Sequence, residues 1–509
     1  MPLQKQFGAK IEAYISTMLK WSWSSNESYE PSTEDALLVL GHDGAPSGEL
    51  PGGSYAVLRH RIQASLVKQK DGRLEGGEWI GSEGERGIAW VQGLPAKAGL
   101  DGDERLRLGA SEAFSAALRR KPARVVMLCD QIPSERIPLL LEGIWNSAYR
   151  FEPYKSKKTG AIPELVFCGK ADSTILVRTL LEAAAQVLMG IDLARDLVNE
   201  PGSVLVPKEY LARIEATFKA TGIKVKVKTR AQLEKEGYQG IVTVGKGSSN
   251  EPMLVTLEYR PKNPVAGRHL ALVGKGITFD TGGISLKPGD KMWEMKCDMA
   301  GSAAVVGALL ALNRMQVPLE ITGILCLAEN RPGNGSVLPG DIFTARNGKT
   351  VMVDNTDAEG RLVLTDGLYE AGVVGATHVI DLATLTGSIV RALGPSIAGI
   401  FANQDALAQL LKDCGRKTGE KYWQMPLDAE YRERLDDSTA DMKNIGGADA
   451  GSITAALFLK EFLPENVEWA HIDIAGPAFL TKSWKYFREG GTGFGVSTLV
   501  ECATRLAAS

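Results

Sequence analysis

Acidic residues and lysines collect in two short stretches of this sequence. The first, Val273 to Asp298 (VGKGITFDTGGISLKPGDKMWEMKCD), holds Lys275, Asp280, Lys287 and Asp298; the second, Asn355 to Arg361 (NTDAEGR), adds Asp357, Glu359 and Arg361. Hard carboxylate oxygens of this kind suit Zn, Mn or Mg, and two ions held close together require carboxylates that both can share. Side chains two apart on extended backbone share a face, so Asp357 and Glu359 are expected to reach one ion pair together. None of the five histidines, His42, His60, His269, His378 and His471, falls in HExxH or another ligand pair. A metal site here has to be built from carboxylates.

The surrounding elements must place these groups. His269 to Val273 (HLALV) is short, apolar and partly β-branched and reads as a buried strand. Gly274-Lys275-Gly276 is expected to turn the backbone at its carboxyl end, where open α/β sheets bind ligands. Met299 to Met315 has helical composition, which puts Asp298 at a helix start. Each residue also has a plain structural reading. Asp298 suits the N-cap of that helix. Thr356 and Glu359 fit a capping box ahead of a helix beginning near Arg361. Asp280 suits an Asx turn before Thr281-Gly282-Gly283, and Lys275 and Lys287 suit solvated loops. Arg361 in a first helical turn faces the positive end of the dipole at a cost of up to ~1 kcal/mol, so its placement points to a bound anion.

With these residues in view, the chain resembles the leucyl aminopeptidase (cytosol aminopeptidase) family of dinuclear metallopeptidases. The likeness rests on VGKGITFDTGG with Lys287 and Asp298 downstream, then NTDAEGRL, and runs from Asp192 to the C-terminus. It implies two divalent metal ions per subunit, Zn, Mn or Mg. Asp280 and Glu359 would contact both ions, Lys275 and Asp298 would complete the tighter site, and Asp357 the more exchangeable one; Lys275 would ligate as a neutral amine. Lys287 would stabilise the oxyanion, and Arg361 would hold a bicarbonate ion that shuttles the proton. The implied substrate is a short peptide with a free N-terminus. Its first side chain, Leu or another apolar residue, would lie against Met295, Thr384, Gly387 and Ala475 or Ala478. The resemblance further implies a homohexamer in the cytoplasm, working in peptide catabolism.

Composition sets the outer bounds. With 509 residues, 44% hydrophobic and 23% charged, the chain is long enough for two globular domains. A formal net charge of −3, with a nearly neutral N-terminal part, provides no electrostatic footprint for nucleic acid. No uninterrupted apolar run reaches the roughly 18 residues of a membrane span. The six cysteines, Cys129, Cys168, Cys297, Cys326, Cys414 and Cys502, show no CxxC spacing and read as reduced, buried thiols. Met1 to Trp23 has basic residues and a helix-like pattern, yet it lacks a continuous signal-peptide core and contains Glu12, which leaves a weak organelle-targeting helix as the minority reading.

The expected class is α/β with two domains. Residues 1–172 form a smaller N-terminal α/β domain of unassigned role, with strands at ALLVL, ARVVMLC and ELVFCG and loops at Gly41 to Gly53 and Gly72 to Gly84. Residues 173–200 form a linker helix, and 201–509 a catalytic domain whose alternating helices and strands predict a mostly parallel central sheet flanked by helices. Two rival functions remain: a two-metal phosphoesterase, which would call for more arginines than Arg361 alone, and a DNA-binding accessory factor, disfavoured by the charge. The GKG triplet lacks the GxxxxGK[ST] spacing of a phosphate loop.

Overall fold

The computed structural model describes residues 20–25, 35–41, 67–68, 74–75, 78–80, 86–93 and 101–508, apart from 120, 130–131 and 170–172. The chain divides into two compact units, Met1–Leu188 with Ser483–Arg488, and Met189–Lys482 with Glu489–Ser509. Both are α/β. In the first, a six-stranded sheet runs in the order Trp21–Ser25, Glu164–Gly169, Arg124–Leu128, Asp35–Gly41, Arg86–Gly93, Glu78–Ile80. All its pairings are parallel except the last. Gly102–Leu118 and Ile137–Ala148 are its long described helices, the first capped by Asp101, which accepts from the Glu104 N–H at 2.7 Å. The expected loop at Gly72 to Gly84 is corrected: Leu74–Glu75 and Glu78–Ile80 are strands, too short and too glycine-flanked to show a periodicity. The helix-like pattern from Met1 lies outside the described residues as far as Leu19, and Trp21–Ser25 is extended; the expected loop beyond Gly41 also lies outside them.

Helix α1 (Thr174–Asn199) carries the chain into the second unit. By length and composition, this helix and the stretch Met292–Arg314 could each cross a membrane; the stretch is mostly buried. Scattered charged residues hid both from a search for unbroken apolar runs.

Eight strands build the sheet of the second unit: β1 (Lys224–Lys228), β2 (Met253–Tyr259), β3 (His269–Asp280), β4 (Glu320–Asn330), β5 (His378–Ala383), β6 (Ile397–Ala402), β7 (Lys421–Gln424) and β8 (Glu468–Asp473). Their order is β7-β6-β8-β5-β3-β4-β2-β1, with β8, β5, β3 and β4 mutually parallel and the antiparallel pairings further out. Parallel strands covered on both faces bury almost every residue, which is why β3 and β4 read as near-continuous apolar runs.

Two helices, α2 (Ala300–Arg314) and α3 (Glu359–Val373), cover the middle of this sheet. A Cβ on Gly274 would lie 2.4 Å from the Cα of Ser302 in α2, whereas one on Gly367 of α3 would lie 2.6 Å from Val273 Cγ1. Neighbouring residues of a strand face opposite ways, so α2 and α3 lie on opposite faces. On the α3 side, Val273, Ile324, Ala328, Val363, Leu364, Leu368 and Trp469 belong to one buried cluster. Each such aliphatic side chain contributes about 1.5–3 kcal/mol by leaving water.

The expected turn at Gly274-Lys275-Gly276 is not there. β3 runs through the triplet to Asp280, with a register shift after Ile277. The missing side chain of Gly274 serves the close approach of α2; glycine alone does not tell a turn from such a contact. Lys275 is therefore rigidly aimed rather than carried on a loop.

Candidate active site

The strand alternation that points Val273 at α3 points Lys275 the same way, toward the start of that helix. A Cβ on Gly360 would lie 2.6 Å from the Lys275 Cε, so the lysine crosses the helix at a residue with no side chain. Its Nζ stands 2.7 Å from Asp298 Oδ1 and 2.7 Å from Glu359 Oε1, and donates to the Thr384 carbonyl at 2.8 Å. Burial works against this ammonium, but the charges of Asp298, Glu359 and Asp280 outweigh it and hold Lys275 above the ordinary lysine range. Lys287 forms a parallel arrangement, 2.7 Å from Asp280 Oδ2 and 2.5 Å from Asp357 Oδ1.

Asp280 closes β3. Its Oδ1 accepts from the Gly282 N–H at 2.8 Å, as the Asx-turn reading expects, and also from Asn330 Nδ2 at 2.8 Å. Burial and the nearby Glu359 push this carboxyl up to about 7 despite the two lysines. Asp298 does not cap α2, which has no side-chain cap: its Oδ1 takes Lys275 and the Thr384 hydroxyl at 2.7 Å, and burial raises it well above the carboxylate range. The capping box is likewise unrealised. Thr356 donates to the Gly282 carbonyl at 2.6 Å and accepts from the Ser285 N–H at 2.8 Å, and Glu359 faces Lys275. For Glu359, Lys275 and Lys287 outweigh burial and lower its pKa.

Asp357 and Glu359 do converge, although not through extended backbone: Asp357 lies in a turn and Glu359 is the first residue of α3. One oxygen from each of Asp280, Asp357 and Glu359 lies within 4.8 Å of the others. Asp298 joins them through Lys275. Arg361 is 7% exposed, donates from Nη1 to the Asn444 carbonyl at 2.7 Å, and is pushed down to about 10 by burial, against the charges of Glu359 and Asp473.

Asp298 Oδ2, Glu359 Oε2 and Arg361 Nε are buried here with no hydrogen-bond partner, and Asp357 Oδ1 is buried with only the Lys287 ammonium beside it. Buried polar atoms are almost always satisfied, and leaving a charged one unpaired costs several kcal/mol. Converging hard oxygens with spare lone pairs fit divalent cations, and a spare guanidinium N–H fits an anion.

The family model for the cytosol aminopeptidase family, catalytic domain, matches residues 192–500, the span that holds every one of these groups. The chain belongs to the cytosol aminopeptidase family. It is 39% identical to a probable cytosol aminopeptidase of Syntrophotalea carbinolica, over 87% of this chain and 95% of that protein. A similar protein of Aquifex aeolicus is 35% identical over 92% and 94%. Among solved structures, the bottromycin maturation enzyme BotP in complex with Mn superposes with a TM-score of 0.80 at 32% identity, covering 93% of this chain and 100% of that one. As a member, the chain is a metal-dependent aminopeptidase, a peptide hydrolase.

The residues expected to line a side-chain pocket sit on separate segments around the cytosol aminopeptidase motifs. Thr384 follows β5 and bonds Lys275 and Asp298 directly. Met295 is half-buried on the turn Met292–Cys297; Gly387 is exposed at the start of α4 (Gly387–Leu393); Ala475 is half-buried and Ala478 buried in the segment after β8. Sequence reasoning missed Asn330, Asn444 and Asp473. Asn330 ends β4, and its amide also donates to the Thr356 carbonyl at 3.0 Å, tying the two motifs together. Asn444 accepts from the Asp354 and Asn355 N–H groups at 2.9 and 3.2 Å and steadies the loop before Asp357. A polar residue at the carboxyl end of a parallel strand was the available signal.

Proposed function

We propose that this enzyme releases N-terminal residues, preferentially Leu or other apolar ones, from short peptides at a dinuclear centre. The supporting observation is the convergence of Asp280, Asp357 and Glu359 beside buried oxygens of Asp298 and Glu359 that accept no hydrogen bond. Asp280, Asp298, Asp357, Glu359 and Lys275 would hold two divalent ions, Zn, Mn or Mg. When bound, such ions supply Lewis acidity toward a carbonyl oxygen and toward water. A free α-amine would be the handle that makes the enzyme an aminopeptidase.

To act as a ligand, Lys275 would have to give up the proton that its carboxylate neighbours hold on it. Lys287, whose side chain is 21% exposed against 3% for Lys275, is the cation open to substrate, and it would donate to the oxyanion that develops on the scissile carbonyl. Four carboxylates committed to metal leave no obvious acid free as general base. Arg361, with its unpaired Nε, would hold a bicarbonate ion that moves the proton. Met295, Thr384, Gly387, Ala475 and Ala478 would select an apolar first side chain. The family likeness also supports a homohexamer acting in the cytoplasm.

Leucine p-nitroanilide hydrolysis tests this reading. Activity should vanish on chelation, return with Zn or Mn, and remain low in Asp357→Ala. Full activity in chelated protein, or equal cleavage of acetylated and free peptides, would overturn it.

A further inference from the structure

Asp473, at the carboxyl end of β8, is completely buried and its carboxylate accepts no hydrogen bond from the proposed metal ligands; its hydrogen bonds come from the two loops flanking the site. Oδ1 accepts from the N–H groups of Leu385 (3.1 Å), Thr386 (3.5 Å) and Ala475 (3.2 Å), and Oδ2 accepts from the Thr386 hydroxyl at 2.7 Å. The first two residues lie in the loop after β5 and the third in the loop after β8. One carboxylate thus clamps adjacent loops together. In register, Asp473 sits beside Ala383, the last residue of β5.

The clamp leads to the metal-ligand pair through a single residue. Thr384 lies between Ala383 and the clamped Leu385. Its carbonyl accepts from Lys275 Nζ at 2.8 Å, and its hydroxyl donates to Asp298 Oδ1 at 2.7 Å. Thr386 also caps α4 by accepting from the Ile389 N–H at 3.1 Å, which anchors the far side of the loop.

Below the clamp is a further layer. Trp469, His471 and Asp473 are two apart on β8 and so share one of its faces. His471 Nδ1 lies 2.6 Å from Asp381 Oδ1, and Trp469 Nε1 donates to Asp381 Oδ2 at 2.7 Å, all of it buried. Burial opposes a charged His471, but Asp381 outweighs it and raises its pKa. Both His471 and the guanidinium of Arg361 interact with Asp473 electrostatically.

We propose that Asp473 is a positioning residue that sets Thr384, and through it the Lys275–Asp298 half of the metal centre. The inference rests on the proposed function, since it takes Lys275 and Asp298 as metal ligands. Hydrogen-bonding partners behind metal ligands typically change affinity by about 10–100-fold when removed. The effect should be selective, because none of these bonds reaches Asp357.

The test is Mn titration of the chelated full-length enzyme against a fluorescent chelator, with melting curves recorded alongside. Wild type should bind in two steps. Asp473→Asn keeps an oxygen for the three N–H groups but loses the charge. It should weaken the step assigned to Lys275 and Asp298 at least tenfold and leave the other step unchanged. Thr384→Val should weaken the same step, and the double variant should lose little more than the worse single variant, because the two residues act in series. Should Asp473→Asn fail to fold, Thr386→Val removes the 2.7 Å bond together with the α4 cap while leaving the three N–H donors to Asp473, and should show the same selective loss in smaller measure. Unchanged binding in the folded variants, equal weakening of both steps, or multiplying losses in the double variant would overturn the proposal. If wild type binds no second ion, the dinuclear reading fails instead.

Discussion

Replacing Lys275 with methionine tests how the acids beneath the metal motifs are held together. The substitution keeps the length and the apolar stem of the side chain but removes the ammonium that stands 2.7 Å from both Asp298 and Glu359. Taking one partner out of a buried charge pair costs about 3–5 kcal/mol, because the remaining charge is stranded. A folding unit of roughly 300 residues has an unfolding entropy near 0.6 kcal/mol/K, from ~2.1 cal/mol/K per residue, so the loss corresponds to about 5–8 °C in Tm. The comparison belongs in chelator, where Lys275 acts as a counter-ion, with melting followed by circular dichroism. The pH dependence gives a second check. Burial raises Asp298 well above the usual range and Asp280 to about 7, so lowering the pH lets the stranded acids take up protons. The penalty should therefore be larger at pH 8 than at pH 5. An unchanged Tm at pH 8 in chelator, or a larger penalty at pH 5, would refute this account.

Further outcomes follow from the same geometry. Asp366 accepts from the Ile241 N–H at 2.7 Å, and burial pushes it up to about 8. A folded-state pKa above the unfolded one stabilises at low pH, and that stability is lost as pH rises through the folded value. Metal-free enzyme should thus become less stable between about pH 4 and 8, and Asp366→Asn should flatten the curve in denaturant titrations. Gly274→Ala would place a Cβ 2.4 Å from the Ser302 Cα, a backbone clash expected to cost at least about 1–3 kcal/mol and to lower Tm measurably. Thr384→Val removes one hydrogen bond to the Asp298 carboxylate, a loss of about 1.5–3 kcal/mol that should weaken metal binding by more than about tenfold in a chelator competition. Lys287→Ala should lower kcat by about 10²–10³ with metal content by mass spectrometry unchanged, as expected for a donor to the oxyanion.

The identities of the site residues were legible along the chain. Lys275, Asp280, Lys287, Asp298, Asp357, Glu359 and Arg361 occur in two stretches whose residue types are those a carboxylate metal site needs. The burial that makes β3 and β4 near-continuous apolar runs also revealed a largely parallel sheet. What composition could not resolve was purpose. Gly274 reads as a turn, yet it lets α2 approach a straight strand; Asp298 and Glu359 read as caps, yet both turn toward Lys275. In each case the local alternative and the tertiary contact use the same residue, and only the position of a partner far along the chain decides between them.

The supporting residues depended on tertiary structure still more. Asn330, Thr384 and Asp473 matter because β4 and β5 flank β3 and β8 lies beside β5, and Asn444 matters because Met442–Lys443 pairs with the strand Thr350–Met352 that leads to Asp357; that adjacency follows from strand order rather than from any local pattern. The sequence determined which groups are available to bind metal and the period of the elements that carry them. Strand order, set by how the helices bury both faces of the sheet, determined which of those groups meet and which neighbours hold them in place.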